Sequence, residues 1–185
     1  LKDHVAREAQ PYLECRCSPY FQQTPWYPLI DLLQRLCQWR QDDTPEDSLA
    51  RLEHLLDQYR LPLETAVPLL AQLLALPLPP GRYRPPVYAP QQQRQHTLDA
   101  LLALLLAMAA RRLLLFIVED LHWIDPSTLE LLGLVVDQGP TAALCTVLTC
   151  RPTFQPPWGW RAHITPIVLD RLPRPHSARM VEHVA

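Results

Sequence analysis

Residues 113–128 read LLLFIVEDLHWIDPST, and the change of character inside that stretch sets the fold. The opening apolar run, 113–118, is unbroken, the signature of a strand buried on both faces of a parallel sheet. Two carboxylates, Glu119 and Asp120, stand where the run stops. A helix follows: Asp125 supplies its cap, Pro126 lies in its first turn, and Glu130 completes a capping box with Ser127.

Outward from that point the pattern repeats. Residues 144–150 (LCTVLTC) read as a second buried strand and 164–169 (ITPIVL) as a weaker third, with Gly139 and Pro140 ending the helix before them. Upstream, 12–17 (YLECRC) alternates as a strand does. Helices are expected over 26–39, from a cap at Thr44 with Pro45 and Asp47 behind it, over 63–76, and over 91–110. The first of these carries an apolar stripe of Leu29, Leu32, Leu33, Leu36 and Cys37. Residues 77–90 hold six prolines and one glycine and read as an extended connector, stiff rather than a ligand for another domain. Residues 1–9 read as the end of an amphipathic helix, and a last helix begins near Pro175. Buried strands alternating with helices predict a doubly wound α/β domain with a long helical insert over 26–110.

Composition narrows the function classes. The 185 residues are 48% hydrophobic and 19% charged, which suits a globular chain rather than a disordered one. Net charge is -2 and the 17 basic residues are scattered, so nothing argues for nucleic acid or an anionic membrane as a partner. Lys2 is the only lysine; with 21 prolines, that reads as a bias of the source genome. The five cysteines, Cys15, Cys17, Cys37, Cys145 and Cys150, are odd in number and mostly within apolar segments. They read as reduced, buried, structural thiols, without the spacing of a metal site. The longest apolar stretch is broken by Arg111 and Arg112, and its 13-residue piece, 98–110, is shorter than the ~20 residues a bilayer span needs. With no secretory signal at its start, a soluble, cytoplasmic protein is expected.

The acidic pair is where chemistry is expected. In an open parallel sheet, ligands bind beyond the carboxyl ends of the strands. A carboxylate there can hold Mg²⁺ on a nucleotide, and its neighbour can orient or deprotonate an attacking water. Acidic pairs after strands also cap helices or face solvent, and position alone leaves both readings open.

The longer pattern favours the first. An apolar run followed by Glu-Asp-Leu-His-Trp-x-Asp-Pro-Ser-Thr resembles the Walker B segment of STAND/AAA-type P-loop ATPases, the modules of bacterial LuxR-type regulators and of proteins associated with class III nucleotide cyclases. ECRCSPYFQQTPWYPLIDLL (14–33), LTCRP (148–152) and LDRLPRPHSARMVEHV (169–184) resemble other parts of the same domain. The resemblance implies a three-layer P-loop NTPase-like fold, with Glu119 at the magnesium position (where aspartate is more usual), Asp120 as base or water-orienting group, and Arg151 sensing the terminal phosphate. Trp123 reads as packing and Asp125 as the cap, while His122 reads equally as polar lining or as a packed side chain. ATP and Mg²⁺ are the implied cofactors of a complete domain. The implied partners are output domains in cis, a cyclase or a DNA-binding unit.

A phosphate-binding loop reads GxxxxGK[ST]. None of the four glycines, Gly81, Gly133, Gly139 and Gly159, is followed by Lys-Ser or Lys-Thr. The expectation is a partial ATPase domain truncated at both ends, divided as 1–25, the insert 26–110, and 111–185. The resemblance places the strand entering the missing loop between 144–150 and 164–169, so the isolated chain is expected to be marginally stable, with very weak nucleotide binding and no useful hydrolysis. A nucleotide-independent protein-interaction scaffold is the alternative.

Overall fold

The computed structural model describes residues 12–85, 87–159 and 161–169. Three strands, β1 (Tyr12–Arg16), β2 (Leu114–Glu119) and β3 (Leu144–Leu148), form one parallel sheet in the order β1-β2-β3. The register sets Arg16 opposite Glu119 and Val118 opposite Leu148, so the three strands finish along one rim. Parallel neighbours require crossovers. Between β1 and β2 run α1 (Tyr27–Leu36), α2 (Pro45–Gln58), α3 (Leu63–Leu73) and α4 (Pro90–Ala109), and α5 (Pro126–Gln138) joins β2 to β3. The α/β class and the helical insert therefore stand as the sequence implied.

The core grows from β2. Leu114, Phe116 and Val118 join Leu13, Cys15 and Cys17 in one cluster, because residues paired in register lie on the same face. Leu115 and Ile117, on the other face, are also buried. That two-sided burial is what an unbroken apolar run allows and an alternating one does not. The helices contribute side chains at three- and four-residue spacing: Leu29, Leu32 and Leu33 from α1, Leu49, Leu52 and Leu56 from α2, Leu98, Leu101 and Leu105 from α4. The insert packs in series, α2 on α3, α3 on α4 and α4 on α5, while α1 rests on β1 and α5.

Helix starts follow their caps. Thr44 and Asp47 form the reciprocal capping box at α2, with Pro45 in the first turn. Asp125 caps α5, but Glu130 does not close a box with Ser127. Asp125 already takes the backbone N–H groups of Ser127 and Thr128, and Glu130 instead pairs with Arg94 of α4 at 2.5 Å. The proline-rich connector is docked on α2, where Glu53 accepts from Arg82 at 2.5 Å and from the Tyr83 hydroxyl at 2.9 Å.

Three further expectations are corrected. Residues 144–150 are not a buried strand: β3 stops at Leu148 and is mostly half-buried. Residues 164–169 are not a strand at all, and Ile167, Val168 and Leu169 are exposed. Among the described residues β3 is an edge of the sheet, and 164–169 pairs with no strand. Third, all five cysteines are free thiols as expected, but only Cys15, Cys17 and Cys37 are buried; Cys145 and Cys150 are exposed. The helix expected from Pro175 and the one expected over 1–9 lie outside the described residues. No helix among the described residues is long and apolar enough to cross a membrane.

Candidate functional site at the carboxyl rim

Glu119 is the last residue of β2 and Asp120 the first beyond it. Consecutive residues in an extended strand point to opposite faces. Asp120 breaks that alternation, because its backbone is left-handed at φ 61°. An L-residue adopts that conformation at a cost of ~1–2 kcal/mol, least for Asn and Asp. Here it is held in place: the Asp120 N–H donates to Thr149 Oγ1 at 3.1 Å, and the Leu121 N–H donates to the Thr149 carbonyl at 2.9 Å. Thr149 is itself fixed by donating its N–H to the Val118 carbonyl at 3.0 Å.

The turn brings both carboxylates to one cation. Arg16 Nε lies 3.9 Å from Glu119 Oε2 and 3.5 Å from Asp120 Oδ2. The backbone supports the same meeting, since the Cys17 N–H donates to the Glu119 carbonyl at 2.9 Å. On the β3 side, Arg151 stacks its guanidinium 5.8 Å from the centroid of the Trp123 ring. The Trp123 N–H in turn donates to the Asp120 carbonyl at 2.9 Å. Arg151 is thus on the same rim as the acidic pair, with Trp123 between its chain and theirs.

His122 is a packed side chain. Neither ring nitrogen is exposed or has a hydrogen-bond partner, and the ring leans on Trp123 at 5.1 Å. Asp125 does more than cap. It is 1% exposed; Oδ1 accepts from the N–H groups of Ser127, Thr128 and Trp26, each at 3.0 Å, and Oδ2 accepts from the Thr128 hydroxyl at 2.5 Å. Trp26 opens α1, so one buried carboxylate ties the helical insert to the loop that leaves the acidic pair. Cys17 lies behind this loop. Burial, followed by the negative charges of Asp125 and Asp120, pushes its thiol up to about 12, which removes it as a nucleophile at neutral pH.

The donor set fits one kind of metal site. Among the described residues no group of three or more His, Cys, Asp or Glu side chains could hold an ion alone. Mg²⁺ does not need such a cage: one or two carboxylates suffice when phosphate oxygens and water complete the octahedron. The rim is a ledge rather than a cavity. Two open clefts, of ≈ 440 and ≈ 530 Å³, lie elsewhere, one lined by Cys37, Arg51 and His54 and the other by Tyr59, Arg60 and Arg111. Chemistry, not concavity, singles out the rim.

Glu119, Asp120 and Arg151, singled out in the sequence, lie along one rim, and the structure sets Arg16 and Thr149 beside them, which the sequence did not single out. Arg16 ends the alternating run of β1 and Thr149 follows β3, so both were visible as polar residues at strand ends. Only the register shows which carboxylates they meet.

No curated protein and no solved structure matches the chain. The model of the AAA ATPase domain matches residues 1–147, which takes in β1, the whole helical insert, β2 with its acidic pair, and most of β3. Domains of that family generally bind ATP with Mg²⁺. With its parallel sheet, crossover helices and carboxylates at the rim of the central strand, the chain belongs to the AAA ATPase domain family.

Proposed function

We propose that the chain is the regulatory ATPase module of a cytoplasmic signalling or transcriptional regulator of the STAND type, acting on an output domain in cis. Glu119 holds Mg²⁺, directly or through water, and Asp120 orients or deprotonates the attacking water. Arg151 meets the terminal phosphate, for which a permanently charged, bidentate guanidinium is suited. The bound ion supplies charge neutralisation on the phosphates. The observation that carries this reading is the convergence of two carboxylates beyond the end of the buried central strand, where open α/β sheets bind their ligands.

The phosphate grip is not in these 185 residues, so turnover requires a glycine-rich loop supplied by another segment. The test is ATP hydrolysis by a longer product with a Gly-Lys-Ser or Gly-Lys-Thr loop in frame. Glu119→Gln and Asp120→Asn should each lower turnover by about a hundredfold or more, the scale of losing one preorganised catalytic group. Unchanged turnover in both variants removes these carboxylates from the reaction. A stop codon or a degenerate loop upstream would favour a nucleotide-independent interaction scaffold, which the missing glycine motif already makes the second reading.

A further inference from the structure

The rim is not an empty acidic pocket: it carries its own cation. In parallel register Arg16 and Glu119 are partners and share a face of the sheet. The left-handed turn at Asp120 then brings the second carboxylate to the same guanidinium, with Nε within 3.9 Å of one and 3.5 Å of the other. The charge is delivered from solvent, since the Arg16 side chain is 73% exposed, while the Glu119 side chain is only 24% exposed. A long, exposed arm therefore lies over two carboxylates, of which the Asp120 side chain is 41% exposed.

We infer that Arg16 is a tethered counter-cation: it neutralises the Glu119–Asp120 pair when no metal is present, and a divalent ion must displace it to bind there. The inference rests on the reading of that pair as the magnesium site. Two like charges converging on one point repel, and an isolated pair would disfavour the convergent geometry. A guanidinium at that point relieves the repulsion without the desolvation that a buried counter-ion would require. Because the pairing is exposed it is weak, so a metal can displace it. Once displaced, the arm stands on the β1 side of the rim, opposite Arg151 on the β3 side, and both can face an anion held between them. Arg16 is a positioning residue rather than a catalytic one.

The test uses the 185-residue chain and Mn²⁺ alone, with free ion followed by electron paramagnetic resonance. Arg16→Gln should bind Mn²⁺ about two- to fivefold more tightly than the parent, the scale of an exposed ion pair. Arg16→Lys, which keeps the charge but not the fork, should fall between them, and near-equal thermal melts will show that folding is intact. Equal or weaker Mn²⁺ binding in Arg16→Gln, with binding in both chains abolished by Glu119→Gln/Asp120→Asn, would overturn the inference and leave the carboxylate assignment standing. Absence of saturable binding in every chain would overturn the inference alone, because phosphate oxygens complete the site and the carboxylate assignment is decided by ATP turnover of the longer product.

Discussion

Replacing Asp125 with alanine removes a side chain that joins the insert, the rim loop and α5. Three backbone N–H groups and one hydroxyl lose their acceptor together. Loss of the α5 cap costs about 1–2 kcal/mol. The Trp26 N–H lies in a part-buried position at the start of α1, and stranding it adds about 1–2 kcal/mol. Trp26 is also left-handed at φ 66°, a conformation that the bond from Asp125 helps to hold. The expected total is ~2–4 kcal/mol, a large share of the 5–15 kcal/mol a domain of this size possesses.

Asp125→Asn is the control. Asparagine caps helices as well as aspartate, and its one carbonyl oxygen can take the place of Oδ1, the atom that accepts all three N–H groups. It should cost about 1 kcal/mol. Urea unfolding followed by circular dichroism reads both values as shifts in midpoint at constant slope. An alanine variant within 1 kcal/mol of the parent would refute the account of Asp125 as a junction. So would an asparagine variant as damaged as the alanine one, because the loss would then lie in charge rather than in acceptor geometry.

The remaining predictions concern thiols and turns. Under native conditions a thiol reagent should modify Cys145 and Cys150 promptly and Cys15, Cys17 and Cys37 only at the rate of unfolding; a third fast thiol would contradict the burial. Cys17 and Cys37 are each raised from 9.0 to about 12, by burial above all, so the unfolded chain loses these protons first as pH rises. Their contribution to stability should be complete below pH 9 and lost between about 9 and 12, and Cys17→Ala should flatten that decline. α1, α2 and α3 each end on a non-glycine in the left-handed region, Gln38, Arg60 and Ala75, at φ 54°, 58° and 54°. Ala75→Gly should therefore stabilise the chain by about 0.5–1 kcal/mol in the same urea assay, whereas glycine inside α3 would destabilise it.

Those three helix ends show where the sequence was hard to read. A left-handed residue after a helix is ordinarily announced by glycine, but this chain has only four glycines. The turns are made by Gln38, Arg60 and Ala75, closed by bonds such as Leu76 N–H to the Ala71 carbonyl at 2.8 Å. The helices expected to run to 39 and 76 stop at Leu36 and Leu73 because nothing local marks the stop. Helix starts were legible, since Thr44 and Asp125 act through neighbours within three residues. β2 was legible because burial on both faces leaves no choice of side chain. The strand at β3 was legible too, but its partial exposure and the absence of a strand over 164–169 were not, because both depend on the neighbour a segment pairs with, and apolar content does not encode that neighbour. The site followed the same division. The carboxylates and Arg151 stand out by position after apolar runs, while Arg16 and Thr149 join them at the rim only through register and through the backbone turn at Asp120.

That turn makes the convergence of the acidic pair depend on an edge strand. Asp120 keeps its left-handed conformation through Thr149, and Thr149 is held at the end of β3. β3 pairs with β2 on one side and, among the described residues, with no strand on the other. Edge strands fray more readily than central ones, because part of their backbone bonds to water instead of to a neighbour. If β3 frays at Leu148, Thr149 leaves, Asp120 loses both the acceptor for its N–H and the reason for its positive φ, and the two carboxylates return to opposite faces. Convergence of the acidic pair is then a property of how well β3 is supported. A segment that pairs with the open side of β3 would keep the acidic pair converged without touching it, coupling the completeness of the sheet to the geometry of the rim.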